Sequence, residues 1–200
     1  QKPLRESIQP STIYKDHFKN DCPTIIFIGR LTKVKKLDMV VDALASLRDN
    51  GEHYNLIFVG DGIEAENLKA KVKGLGLSDQ VWFYGACYDE KTNAELIYNA
   101  DLCVSPGNVG LTAMHSLMFG CPVITHNCFE WQMPEYEAIQ GSETGDFFKM
   151  DDIVDLTVSI SRWFQMKSDK RDDVRKACFN EIDTNWNPYY QIDIIKKNIK

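Results

Sequence analysis

From residue 24 onward, short apolar runs that end in glycine or proline alternate with longer stretches of helical period. That alternation constrains the fold more than any other feature of the chain. TIIFIG (24–29), YNLIFVG (54–60), VWFYG (81–85), DLCVSP (101–106) and PVIT (122–125) have strand length and are rich in β-branched or aromatic residues. Runs this apolar belong in a sheet covered on both faces. GDFFK (145–149) is a candidate sixth. Between the strands, Leu37, Val40, Val41, Leu44 and Leu47 form one helical stripe that stops at Asn50-Gly51. Further helices are expected over ENLKAKVKG, EKTNAELIYNA and GLTAMHSLMFG, and from Asp151 onward only helical patterns remain.

Strand and helix in alternation, with short joins, predict an α/β fold: a Rossmann-like, doubly wound parallel sheet of about six strands. Residues 1–23 carry three prolines, mixed charge and no sustained period, which reads as a linker or wrap-around segment. The regular domain is expected over 24–185, with a closing helix over 186–200. Six cysteines without a C-x-x-C pair, several inside apolar runs, read as reduced thiols in a cytoplasmic setting rather than as metal ligands or disulfides. A net charge of −6 without a dense lysine block excludes non-specific binding to nucleic acid. It leaves room for one small anion held by a few placed groups. No uncharged apolar run approaches the roughly 20 residues of a membrane span. The terminal IIKKNIK could touch a membrane surface, but a frayed amphipathic helix end accounts for it equally well.

In an open parallel sheet, ligands sit beyond the carboxyl ends of the strands, where the strand order reverses. The first strand is followed by GRLTKVKK, so Gly29 and Arg30 leave its tip and Lys33, Lys35 and Lys36 follow. Arginine's planar fork and lysine's mobile charge together suit two phosphates, although a solvated basic loop has the same composition. Gly60 opens GDG after the second strand, which lets backbone approach a ligand or simply makes a turn. After the fourth strand comes GNVGLTAMH, residues 107–115. A helix starting near Gly110 leaves the N–H groups of Gly110, Leu111 and Thr112 free for an anion. His115 falls one turn later, about 40° from Leu111 on the helical wheel, at the edge of an apolar face that is more naturally core. No Gly-x-Gly-x-x-Gly follows the first strand, so the dinucleotide oxidoreductase fingerprint is missing.

In order along the chain, GRLTKVKKLD, LIFVGDG, VWFYG, ADLCVSPGNVGLTAMHSLMFGCPVIT and MPEYEAI resemble the carboxyl-terminal half of GT-B glycosyltransferases, in particular the retaining enzymes of family 4. The resemblance implies that Arg30 and Lys35 grip a donor diphosphate. It also implies that Gly29, Gly60, Gly110, Leu111 and Thr112 bring backbone to the donor, and that no metal is needed. The final WNPYYQIDIIKKNI resembles the helix that crosses back to the other domain in such enzymes.

Two positions depart from the pattern. A Glu-x7-Glu pair usually brackets the turn, its first member facing the donor sugar and its second binding the ribose. Here those positions are Gly107 and His115. A neutral imidazole can still hydrogen-bond a ribose hydroxyl, and Asn108 is the neighbour able to replace the lost sugar contact. After the fifth strand, HNCFEWQMPEYE stands where many members have paired glycines. His126, Gln132 and Glu135 become candidates for a sugar pocket, and Trp131 for a stacking surface. The variants look similar to bacterial polysaccharide-assembly members.

The expected function is therefore donor binding in a glycosyltransferase that uses a nucleoside-diphosphate sugar. The partner is the protein's own amino-terminal acceptor domain, absent here, so the chain would bind donor but not act alone. Peripheral association of the full enzyme with the inner membrane face is compatible with this expectation. A catalytically degenerate nucleotide-sugar module and a non-transferase GT-B enzyme, such as a nucleotide-sugar epimerase, are the alternatives.

Overall fold

The computed structural model describes residues 2–198. Six strands, β1 (Thr24–Ile28), β2 (Asn55–Val59), β3 (Val81–Gly85), β4 (Leu102–Ser105), β5 (Val123–His126) and β6 (Gly145–Phe148), form one parallel sheet in the order β3-β2-β1-β4-β5-β6. This is the doubly wound order expected from the alternating pattern. Ile26 lies in register with Ile57 on one side and Cys103 on the other, and all three are fully buried, which the apolar character of the central strands serves. The order reverses between β1 and β4, and the carboxyl ends of those strands mark the switch point.

The helices are α1 (Lys2–Ser7), α2 (Ile13–Phe18), α3 (Asp38–Asp49), α4 (Ala65–Gly74), α5 (Glu90–Asn99), α6 (Leu111–Met118), α7 (Ile153–Lys167), α8 (Arg171–Asn185) and α9 (Pro188–Asn198). Helix α3 packs with α4 and α7, whereas α6 packs with α5 and α8. The stripe read for α3 is its buried face: Val40, Val41, Leu44 and Leu47 are all within 1% of full burial. Helix α5 starts where Asp89 accepts the Thr92 N–H at 2.7 Å, an N-cap. The six cysteines are free. Burial pushes the thiols of Cys103 and Cys178 up to about 12, so these two behave as small hydrophobes.

Within the opening segment, read as a linker or wrap-around piece, residues 2–23 include α1 and α2, which both dock on α5. Tyr14 is buried and donates its hydroxyl to the Leu96 carbonyl at 2.7 Å. Arg5, also buried, makes a two-pronged bond to Asp183 of α8 at 3.1 and 2.8 Å and covers the Phe179 ring at 4.2 Å. His17 stacks on Trp82 of β3 at 3.8 Å. Helices of six residues are too short to display a period or to persist alone, so tertiary contacts hold them.

Candidate functional site

The ladder between β1 and β2 runs past the strands. Gly29 donates its N–H to Val59 at 2.9 Å, Gly60 donates to Gly85 at 2.8 Å, and Leu31 donates to Asp61 at 2.9 Å. The two chain exits therefore run side by side. A Cβ at Gly60 would lie 1.8 Å from the Gly29 carbonyl oxygen, which is why β2 must end in glycine. The two glycines make the floor of a cleft of about 440 Å³. Arg30 stands at one wall, and Leu111, Thr112 and His115 of α6 form the other. Arg30 is exposed, and its guanidinium makes no hydrogen bond or ion pair among the described residues.

Thr112 donates its hydroxyl to the Ile28 carbonyl at 3.1 Å and so pins the start of α6 to the end of β1. Gly110 is the N-cap residue. The N–H groups of Gly110, Leu111 and Thr112 have no acceptor among the described residues. They carry the positive end of the helix dipole toward the cleft. His115, exposed on the next turn, lines the same cleft. Tyr88 and Asn93, from the segment after β3, close a third side. The sequence reading passed over that segment, although its place after a strand was signal enough.

A second group gathers where the 107–110 turn meets the loop after β1. Lys35, at the end of the 3₁₀ turn Lys33–Lys35, donates from Nζ to the Asn108 carbonyl at 2.6 Å and to Asn108 Oδ1 at 3.1 Å. Burial, and then the neighbouring Arg30 charge, lower the Lys35 ammonium from its ordinary pKa, with Cys103 and Glu135 opposing. Lys35 thus supports the turn, and of the basic pair only Arg30 lines the cleft. Glu135 lies in the 3₁₀ turn Pro134–Ala138 and keeps one carboxylate oxygen, Oε2, buried without a hydrogen-bond partner.

Gly107 donates its N–H to the Lys35 carbonyl at 3.0 Å. With Asn108, Lys36, His126 and Trp131 it lines a separate hollow of about 310 Å³. Lys36 is ion-paired with Asp151. His126 is buried and accepts the Cys128 N–H on Nδ1 at 3.2 Å, so its neutral form carries the proton on Nε2. Burial and the Lys36 charge lower its pKa against the pull of Asp151. Trp131 is 70% exposed. Gln132 points instead into the turn: Oε1 accepts the Val109 N–H at 2.8 Å, and Nε2 donates to Thr125 Oγ1 at 2.8 Å and to the His126 carbonyl at 3.0 Å.

Gly29, Arg30, Gly60, Leu111, Thr112 and His115 therefore share one cleft at the switch point, while Lys35, Asn108 and Glu135 gather about the turn beside it. Among the described residues, no helix is long and apolar enough to cross a membrane.

A family model described as glycosyl transferases group 1 matches residues 11–180. A Mycobacterium tuberculosis protein named GDP-mannose-dependent alpha-(1-6)-phosphatidylinositol dimannoside mannosyltransferase is 34% identical over 103 residues, 50% of this chain and 26% of its own. A glycogen synthase from Paracoccus denitrificans is 31% identical over 106 residues, 51% of this chain and 22% of its own. The matched region is thus about a quarter of these relatives' length. Among solved structures, the sucrose-phosphate synthase of Thermosynechococcus elongatus superposes with a TM-score of 0.76 at 20% identity, covering 96% of this chain and 50% of its own. Anabaena HepE, solved with UDP, gives 0.74 at 17% identity over 94% and 52%. The carboxyl-terminal domain of the Francisella tularensis group 1 protein LpcC gives 0.70 at 18% identity over 92% and 98%.

Proposed function

The chain belongs to the glycosyl transferases group 1 family, and from that premise we propose that it is the donor-binding half of a retaining, family 4 glycosyltransferase of polysaccharide or glycoconjugate assembly. One observation carries this reading. Arg30 and the free N–H groups at the start of α6 face one cleft at the reversal of strand order. That arrangement answers the chemistry of glycosyl transfer. The bond from the sugar's anomeric carbon to the β-phosphate oxygen breaks, and its electron pair leaves with the diphosphate. An acceptor hydroxyl oxygen forms the new bond to the anomeric carbon, and its proton passes to the oxygen of the departing diphosphate.

The leaving diphosphate is met by the Arg30 fork and by the amino end of α6, with Lys35 holding the turn in place. In this reading the charge is met without a metal ion. His115 would take a ribose hydroxyl, and Asn108 with the hollow beyond it would take the sugar. An amino-terminal domain would supply the acceptor and exclude water, so the chain alone would bind donor and transfer nothing. The reaction would be cytoplasmic. The exposed Tyr189, Ile192 and Ile195 of α9, beside Lys196 and Lys197, support peripheral docking of the full enzyme on the inner membrane face.

The test is calorimetric titration with UDP, GDP, ADP, the corresponding sugars and NAD, repeated on Arg30→Ala and His115→Ala. The GDP-mannose and UDP named for two similar proteins put those diphosphates first. Binding of one diphosphate, weakened by both substitutions, is the expected result. Binding of none, or binding indifferent to Arg30, would remove the assignment.

A second reading is favoured by Gly107, which offers no carboxylate to a sugar: a module that binds nucleotide sugars without transferring them. Restoring the amino-terminal domain separates the two, because only the first gains transferase activity.

A further inference from the structure

We infer that Gln132 is a positioning residue: it sets the geometry of the 107–110 turn and thereby the aim of the N–H groups at the start of α6. The inference rests on those groups being the donor's diphosphate site.

A glutamine amide has two N–H donors and one carbonyl oxygen, and Gln132 commits all of these groups to buried backbone and hydroxyl partners. Nε2 spends both hydrogens on Thr125 Oγ1 and the His126 carbonyl, at the end of β5, while Oε1 receives the N–H of Val109. The orientation of the amide is determined by chemistry. The His126 carbonyl can only accept and the Val109 N–H can only donate, so a flipped amide would leave both without a partner. Thr125, fully buried, passes the connection on, because its hydroxyl lies 2.8 Å from the Ser105 carbonyl and 3.2 Å from the Gly107 carbonyl. One side chain thus ties the ends of β4 and β5 to both sides of residue 108.

Val109 is itself 0% exposed, and Gly110, the N-cap of α6, follows it directly. The Val109 N–H belongs to the 108–109 peptide unit; freeing it loosens that unit and, through the Val109 dihedrals, the orientation of the next one, which bears the Gly110 N–H. Lys35 holds the same turn through the Asn108 carbonyl, but from the opposite chain segment, the loop after β1. The 108–109 peptide unit is therefore held at both ends, by Lys35 on the Asn108 carbonyl and by Gln132 on the Val109 N–H, and Gln132 alone ties it to the end of β5.

The experiment compares the parent chain with Gln132→Met, of similar length but without hydrogen bonds, and with Gln132→Glu, which keeps an acceptor for Val109 but turns an oxygen toward the His126 carbonyl. Two measurements are made: amide hydrogen exchange across 105–115 without ligand, and titration with UDP, GDP and ADP. We expect exchange at Val109, the N–H that Gln132 holds, to accelerate in Gln132→Met while the central strands β1 and β4 keep their protection. We also expect the affinity for whichever diphosphate binds the parent to fall about tenfold, the effect of roughly one buried hydrogen bond. Gln132→Glu should fall at least as far. Unchanged exchange at Val109 overturns the inference, as does accelerated exchange with undiminished affinity. Loss of protection throughout the sheet would assign Gln132 to global stability and overturn it too. If the parent binds none of the three diphosphates, the functional reading falls on that result, and exchange alone decides whether Gln132 holds the turn.

Discussion

The carbonyl oxygen of Val34 occupies the space that any side chain at Gly107 would need: a Cβ there would lie 2.0 Å from it and 2.8 Å from the Lys35 Cα. The missing carboxylate at this position is therefore built into the backbone. The loop after β1 fills the space beside Gly107, and the Gly107 N–H bonds the Lys35 carbonyl across the same contact.

Gly107→Glu should consequently fail to restore the family pattern. The side chain meets backbone rather than a flexible side chain, so the loop must shift at a cost of at least the 1–3 kcal/mol typical of overpacking. Thermal unfolding of a chain this size should drop by about 2–4 °C per kcal/mol, and diphosphate affinity should fall with it. A variant that melts with the parent and binds more tightly would contradict the collision.

Arg30→Ala should separate binding from stability. The side chain is exposed and unbonded, so thermal unfolding should move by no more than about 0.5 kcal/mol. Loss of a charged hydrogen-bond pair to phosphate should weaken a bound diphosphate by about 1.5–3 kcal/mol, read by calorimetry at two salt concentrations.

His126 gives a pH signature. Burial and the Lys36 charge hold its imidazole below the ordinary value of 6.5. The unfolded chain takes up this proton near 6.5 while the folded protein resists it, so over that window the unfolded state binds more protons. The contribution to stability is fully present above pH 6.5 and is lost as the pH falls toward the folded value. His126→Asn, whose amide oxygen can accept the Cys128 N–H, removes it. The difference in unfolding free energy between parent and variant should be flat above pH 6.5 and should turn against the parent on acidification. A difference independent of pH would count against this account.

Tyr14→Phe tests whether the opening segment belongs to the fold. It removes a buried hydroxyl from the Leu96 carbonyl, which still receives the Ala100 N–H, so the expected cost is about 0.5–1.5 kcal/mol. Removing residues 1–20 should cost more, because Arg5, Tyr14 and His17 leave Phe179, α5 and Trp82 uncovered together. Unfolding temperatures that do not change in either variant would return the segment to the status of a linker.

Sequence alone determined the sheet, its six strands and the cleft at their carboxyl ends. Each of those features is written in local period: apolar runs of strand length, helical stripes such as that of α3, and glycine at the strand exits. Gly29, Arg30, Gly60, Leu111, Thr112 and His115 were legible for the same reason, since a doubly wound sheet brings whatever follows its strands to one edge. The rest was decided only in three dimensions. Lys35 reaches Asn108 across 73 positions, and Arg5 reaches Asp183 across 178. Gln132 lies in a loop where the family resemblance suggested a sugar contact, yet it spends its amide inside the protein. Gly107 reads only as a departure from the family's Glu-x7-Glu pattern until the Val34 carbonyl is seen against it. Periodicity along a chain reports which face a residue turns inward, but a hydrogen bond or a steric collision depends on which distant segment arrives there, and no local pattern records that.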